Sequence, residues 1–378
     1  MKQLSVSVIV PTYNRAAYLG ACLDSLLAQS VAARQIIVVD DGSTDDTQVL
    51  VSRYGTRVHY LHKPNGGKPS AVNLALTHCQ GDLIWLFDDD DFALPGAIEQ
   101  RLAVFAERPE VGFVYSSHHL ASDGPDRQIQ QGRLYVPPCP DADAFLLEIM
   151  RGCFFHLNSA LVRHEVWAAL GGLDPDLFSG EDYDFQIRMA RIATAAFCPS
   201  PSFLFRQHDG LRGAKQIRHA AGDRSRVFRR YSQTVGRKLR RDFEMGEFLV
   251  PPTRTALSTE QLRSALHHRL HVMANHGCID EFNDDLATLA ALSPEPSPVE
   301  LQSVAASIQR GWAYEVCSAE WPAFIARIRQ TRQLPHGKPL VMALARGLLT
   351  LARSYPGTAV QRLLKLRRAA RLAFEAGV

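Results

Sequence analysis

Apolar residues in the first third of the chain come in short β-branched and aliphatic runs, separated by stretches with helical spacing. Leu4-Ser5-Val6-Ser7-Val8-Ile9-Val10 predicts a strand, and Gln35-Ile36-Ile37-Val38-Val39 a second. Residues 57–62, the run Leu83-Ile84-Trp85-Leu86-Phe87 and residues 111–117 predict three more. Between them, Leu19, Cys22, Leu23, Leu26 and Leu27 recur at the period of a helix over 17–30. Asp45 and Asp46 suit a helical first turn, Ser70 offers an N-cap for a helix to about His78, and Pro95 suits the first turn of one reaching about Glu107. Strands alternating with helices of this length predict βαβ units, hence an α/β fold with a largely parallel sheet. Right-handed crossovers then bring the loops that follow the strands to one edge.

Further along, residues 122–143 are polar and Pro-rich and predict an excursion from the sheet. Residues 158–163 predict a strand, and 164–170 a short helix ended by Gly171-Gly172. A loop to Gly180 leads into a helix opened by Glu181-Asp182, and residues 195–198 and 203–206 predict two short strands. From about Ala220 helical spacing dominates, interrupted at Pro251-Pro252 and 294–298. Two domains are therefore expected, an α/β domain over 1–219 and a helical region over 220–378.

The bulk numbers narrow the class. A chain of 378 residues with 46% hydrophobic and 21% charged residues is ordinary for a globular protein. A net charge of +3 gives no argument for nucleic acid. Seven widely spaced cysteines with no Cys-x-x-Cys pair argue against a zinc site or a disulfide framework and fit a reducing, cytoplasmic setting. The N-terminus enters a strand pattern at once, and no run approaches the ~18–20 apolar residues of a membrane span.

The candidate chemistry lies in the loops. Asp88-Asp89-Asp90-Asp91 follow a buried strand, at the end where open parallel sheets bind ligands. Four adjacent carboxylates repel, and a divalent cation relieves that repulsion, since Mg²⁺ and Mn²⁺ take oxygen donors. The alternative is a solvated acidic loop capping the next helix. Asp40-Asp41-Gly42-Ser43 can accept hydrogen bonds from a base or a ribose, or form a plain strand-to-helix turn. Asn65-Gly66-Gly67-Lys68 offers close backbone approach and one cation, which suits a diphosphate. No phosphate-binding Gly-x-x-x-x-Gly-Lys-Ser/Thr loop and no Gly-x-Gly-x-x-Gly fingerprint after the first strand is present. Glu181-Asp182 either complements a helix dipole or supplies a general base. Asp184 and Arg188 suit a helical ion pair, and His208 could add a nitrogen donor to a carboxylate-held metal.

Together these blocks resemble the family 2 glycosyltransferases, inverting enzymes of the A-type glycosyltransferase fold, over roughly residues 4–210. The matching residues are Ser7 to Arg15, Val38 to Asp45, Asn65-Gly66-Gly67-Lys68 with Asn73, Phe87 to Asp91, and Gly171-Gly172-Leu173-Asp174 running into Gly180 to Phe185. The resemblance implies a mostly parallel, Rossmann-like sheet flanked by helices, followed by a C-terminal helical region. It implies a nucleotide-sugar site formed by Pro11, Thr12, Tyr13, Asn14, Arg15, Asp41, Gly67, Lys68, Asp88, Asp89 and Glu181. It implies Mg²⁺ or Mn²⁺ held by Asp88, Asp90 and His208, and Asp182 as catalytic base. One departure is Val72, where many members carry Arg before the Asn73 position.

The implied reaction moves one sugar from a nucleotide-sugar, a UDP-sugar first, to a hydroxyl of a glycan or lipid-linked acceptor, as in cell-envelope or exopolysaccharide synthesis. Polymer-forming members carry Gln-x-x-Arg-Trp soon after the Glu-Asp pair. Here Gln309-Arg310-Gly311-Trp312 has another spacing and lies far downstream, so single transfer is expected. The basic, amphipathic residues 362–372 suit either a terminal packing helix or peripheral contact with an anionic membrane face. Two rival readings remain at this point, a non-catalytic sugar-nucleotide-binding scaffold and a sugar-1-phosphate nucleotidyltransferase. The latter would need a basic Gly-rich loop where this chain has Pro11 to Arg15.

Overall fold

The computed structural model describes residues 4–124, 129–177, 179–208, 224–292, 294–307 and 321–354. Its contacts divide the chain into two units, one of Met1–Phe145 with Cys153–Val227 and one of Leu146–Gly152 with Phe228–Val378. The sequence pattern drew its boundary between 219 and 220.

In the first unit, β1 (Val6–Thr12), β2 (Gln35–Asp40), β3 (His59–His62) and β4 (Leu83–Leu86) pair in parallel in the order β3-β2-β1-β4. α1 (Ala16–Leu27), α2 (Thr47–Ser52) and α3 (Lys68–Leu76) make the crossovers. β1 and β4 are buried along their whole length, as interior parallel strands covered on both faces must be. The chain moves one way from β1 to β3 and then returns to the other side of β1 with β4. The crevice outside the carboxyl ends of β1 and β4 is therefore a topological switch point.

The short β5 (Phe92–Ala93) and α4 (Ala97–Glu107) follow, then β6 (Phe113–Ser116), β7 (His118–Asp123), β8 (Ile129–Tyr135) and α5 (Ala142–Arg151). After β9 (Leu161–Arg163) come α6 (His164–Leu170), α7 (Glu181–Ile192), β10 (Ala195–Cys198) and β11 (Phe203–Gln207). The first sheet is completed as β10-β6-β9-β4-β1-β2-β3, with β9 antiparallel to both β4 and β6. A second sheet has the order β5-β11-β7-β8.

Four local expectations shift. The strand expected over 158–163 is a 3₁₀ turn, Leu157–Ser159, followed by the three residues of β9. The polar excursion carries β8, which pairs antiparallel with β7. α3 starts at Lys68 rather than after Ser70, because Pro69 sits at a first-turn position where its fixed φ fits. α4 starts after Gly96, whose φ of 76° ends the preceding turn, so Pro95 lies before the helix.

The core runs up to the acidic loop. Trp85 is fully buried and packs under the Arg101 guanidinium, 4.0 Å from its ring. Arg101 is itself buried and donates to the carbonyls of Ala97 (2.8 Å) and Ser159 (3.3 Å), and burial pushes its pKa down to about 9. The Trp85 indole N–H donates to the Asn158 carbonyl at 2.6 Å.

The second unit is helical among its described residues: α8 (Arg224–Asp242), α9 (Thr259–Asn275), α10 (Ile279–Ala291), α11 (Pro298–Ala306), α12 (Trp321–Arg332) and α13 (Gly337–Ser354). Ser258 with Gln261 and Ser297 with Glu300 form capping boxes at α9 and α11. The buried Asp285 on α10 accepts from Arg240 of α8 and Arg269 of α9, both at 2.5 Å, which ties three helices together. None of the described helices is long and apolar enough to cross a membrane. Residues 362–372 and the Gln309 to Trp312 segment lie outside the described residues.

Candidate active site

The four aspartates leave β4 at the switch point and take four different partners. Asp89 is buried, accepts from the Thr12 hydroxyl at 2.6 Å and lies 3.5 Å from Arg15. Burial pushes it up to about 7 against the pull of Arg15. Asp90 pairs with Arg15 and lies 2.9 Å from His208 Nε2. Asp88 is the more open acid and receives Lys68 Nζ at 2.6 Å. Asp91 is 1% exposed and accepts from Asn158 Nδ2 (2.6 Å) and from the Arg206 backbone N–H (2.9 Å). Burial and the neighbouring Asp90 and Asp88 carboxylates push it well above the usual range. The repulsion evident in the sequence is thus relieved in part by the chain's own Arg15 and Lys68.

Asp91 is a pin as well as an acid. One of its oxygens holds the turn that carries Asn158, and the other holds β11, which leads to His208. Tyr18 on α1 stacks on the His208 ring at a centroid distance of 4.9 Å, so His208 is fixed from both sides of the crevice. Tyr18 and Asn158 went unremarked in the sequence. The signal available was an aromatic one turn into α1 and an amide next to a turn.

A metal can be tested against this donor set. Asp88, Asp90 and Asp91 each bring a carboxylate oxygen within 4.8 Å of the others. Hard oxygen donors at that spacing fit Mg²⁺ or Mn²⁺. Because Asp91 already accepts N–H donors on both oxygens, Asp88 and Asp90 are the exchangeable pair, with the His208 nitrogen beside them.

The loops after β1, β2 and β3 form the opposite wall. Pro11 and Thr12 are buried at the end of β1, and Tyr13 is half-buried just beyond them. Asn14 adopts a φ of 53°. Its N–H donates to Ser43 Oγ (2.8 Å) and its side chain accepts from the Thr44 N–H (2.7 Å), which locks the two loops together. Asp41 accepts from Lys63 Nζ (2.7 Å) and from the N–H groups of Gly66 (2.9 Å) and Gly67 (2.7 Å). Three of the roughly four lone-pair sites of that carboxylate are thereby used. Gly42 is required here: its φ is 81°, and a Cβ would lie 2.9 Å from the Asn65 backbone nitrogen. Lys63 was not singled out in the sequence, although it stands five residues before Lys68.

Glu181 and Asp182 open α7, with Gly180 at a φ of 78° before them. Glu181 is 8% exposed, and burial and the Asp182 carboxylate push it up to about 7. Asp182 is half-buried and accepts from the Tyr183 N–H at 2.8 Å. Of the two, Asp182 is the more exposed. Lys68 links this pair to the acidic loop. Burial alone would lower its pKa, but Asp88, Glu181 and Asp182 together outweigh it and hold the ammonium charged. Asp184 pairs with Arg188 at 2.7 Å, as its spacing predicted.

The Glu181 environment gives a pH signature. Its folded pKa is raised from 4.5 to about 7, so the folded state keeps a proton that the unfolded chain has released. The stability this supplies is complete below about 4.5 and is lost as pH rises through about 7. Glu181→Gln should therefore gain on the native protein by up to about 3 kcal/mol between pH 4.5 and pH 8. Chemical denaturation at the two pH values checks this, and a difference independent of pH would contradict it.

Residues 7–165 match the family described as Glycosyl transferase family 2. An uncharacterised glycosyltransferase of Rickettsia typhi is 29% identical over 213 residues, which are 54% of this chain and 64% of that protein. The chondroitin synthase of Pasteurella multocida is 28% identical over 190 residues, 50% of this chain and 19% of that one. The crystal structure of S. aureus TarS 1–349 superposes with a TM-score of 0.51 at 18% identity, covering 99% of this chain and 92% of that chain. Residues 7–165 of this chain are thus similar to glycosyltransferase family 2, and its fold is the A-type glycosyltransferase fold. The chain spans less than two thirds of the length of these curated relatives.

Proposed function

We propose that this chain transfers a single sugar with inversion from a nucleotide-sugar, a UDP-sugar in the first instance, to a hydroxyl of a glycan or lipid-linked acceptor. The observation that carries the proposal is the position of Lys68, which pairs with Asp88 on one side and faces Glu181 and Asp182 on the other. Donor-side acids and a base candidate thereby face one crevice.

The nucleoside end lies against Tyr13 and the Pro11–Thr12 edge, where Asp41 keeps one acceptor site for a base N–H. Arg15 and Lys68 stand at the diphosphate end, with Gly67 allowing close backbone approach. Asp88 and Asp90 would hold Mg²⁺ or Mn²⁺, with His208 as a nitrogen donor, and such an ion when bound neutralises charge growing on the leaving diphosphate. Asp182 takes the proton of the acceptor hydroxyl as that oxygen attacks the anomeric carbon from the face opposite the diphosphate. The C–O bond to the diphosphate breaks as the new one forms, so an α-linked donor gives a β-linked product. Asp89 and Asp91, both buried and bonded internally, shape the loop.

A cytoplasmic site and a destination in cell-envelope or exopolysaccharide synthesis complete the proposal, supported by a relative named as a chondroitin synthase. The test is a panel of UDP-, GDP- and dTDP-sugars with Mn²⁺ or Mg²⁺, read as nucleoside diphosphate release. Release from one donor in a metal-dependent manner is expected. Binding of a sugar nucleotide with no turnover under any condition would favour the scaffold reading instead.

A further inference from the structure

Asn73 sits on α3, five residues after Lys68, and its side chain grips the backbone of a residue one hundred positions away. Its Nδ2 donates to the Leu173 carbonyl at 2.8 Å, and its Oδ1 accepts from the Leu173 N–H at 2.9 Å. This pair of bonds satisfies both backbone groups of one loop residue, as a neighbouring strand would. The adjacent Gly172 is shaped to the same contact. Its φ is 85°, and a Cβ there would lie 2.3 Å from Asn73 Oδ1. On its other side the loop is held by Arg188, which donates to the carbonyls of Leu170 (3.1 Å) and Gly172 (3.0 Å) while its Nε bonds Asp184 (2.7 Å). The gripped loop runs directly into Gly180, Glu181 and Asp182.

We infer that Asn73 is a positioning residue for the base. It fixes Gly172 and Leu173, ahead of α7, to the helix whose first turn carries Lys68, so that Asp182 is set relative to the diphosphate end of the crevice and not merely tethered by its own helix. The inference rests on the transferase reading for its effect on rate, and on geometry alone for the clamp. A base displaced by about 1 Å can cost ~10²-fold in rate while donor contacts persist. Lys68 and the acidic loop contact the donor end, whereas the Asn73 side chain hydrogen-bonds the backbone of Leu173.

The experiment compares native protein with Asn73→Ala and Asn73→Asp. Asn73→Ala should lower kcat by about 10- to 100-fold with donor KM within twofold. It should also speed amide hydrogen exchange across 171–183 with no change across 65–68. Asn73→Asp keeps an acceptor for the Leu173 N–H but sets a carboxylate against the Leu173 carbonyl. Its kcat relative to native should recover as pH falls, because the protonated acid can donate again. A kcat within twofold of native in Asn73→Ala, or a rise in KM at constant kcat, would overturn the inference. Should the native protein turn over no donor, the transferase reading falls, and the exchange arm still decides the clamp: faster exchange at 171–183 upholds it and unchanged exchange refutes it.

Discussion

Asp182→Asn is expected to lower turnover by about 10²–10⁴-fold while leaving nucleotide affinity within twofold. The substitution keeps the size of the side chain and its acceptor for the Tyr183 N–H, which Oδ1 now receives at 2.8 Å. It removes the proton acceptor. It also removes one of the three carboxylates that hold Lys68 charged, but Asp88 stays in contact with that ammonium at 2.6 Å. The diphosphate end is therefore expected to be intact. Steady-state kinetics with calorimetric titration of the nucleoside diphosphate separate the two effects. Equal losses in affinity and turnover would mean that Asp182 serves binding. Unchanged turnover would transfer the role of base to Glu181, which its burial argues against.

Asp90→Ala is expected to weaken Mn²⁺-dependent nucleoside diphosphate binding by ~100-fold or more, since a direct ligand should cost at least as much as the 10–100-fold of an outer partner. The folded state should tolerate this change. Asp90 is flanked by acids, and Arg15 retains Asp89 as a partner. Removing one of four adjacent carboxylates also relieves repulsion. Asp91 offers the contrast. It is wholly buried and pins Asn158 and β11, so its loss leaves two buried N–H donors unpaired at about 1–3 kcal/mol each. Metal titration beside thermal unfolding for both variants distinguishes a ligand from a pin. Equal destabilisation by both would remove Asp90 from the metal site.

Much of this site was legible in the chain, for reasons that differ by element. β1, β2 and β4 are interior strands, so burial on both faces forced continuous apolar runs that stand out from their surroundings. Asp88 to Asp91 were legible because polar residues after such a run fall at one edge of a parallel sheet, whereas Asn65 to Lys68 and Glu181-Asp182 were legible through the order of the motif blocks. The reversal at β9 was not legible. Three residues between β4 and β6 carry too little pattern to reveal direction, and their pairing is set by strands distant in sequence. The division of labour among the aspartates was hidden too, because it depends on Asn158, Arg206 and Tyr18 arriving from elsewhere in the chain. Asp41 illustrates the same point. Its position suggested a ligand contact, while the structure adds a second task, gathering Lys63, Gly66 and Gly67 into the wall of the crevice. Asn73 stood in the motif blocks without a task until its grip on Leu173 was visible.

The most direct test of the account is the anomeric configuration of the glycoside formed from an α-linked donor, read by proton NMR from the coupling at its anomeric proton. A single displacement with Asp182 as base predicts a β-linked product. An α-linked product, or the absence of any glycoside from every donor and acceptor tried, would contradict it.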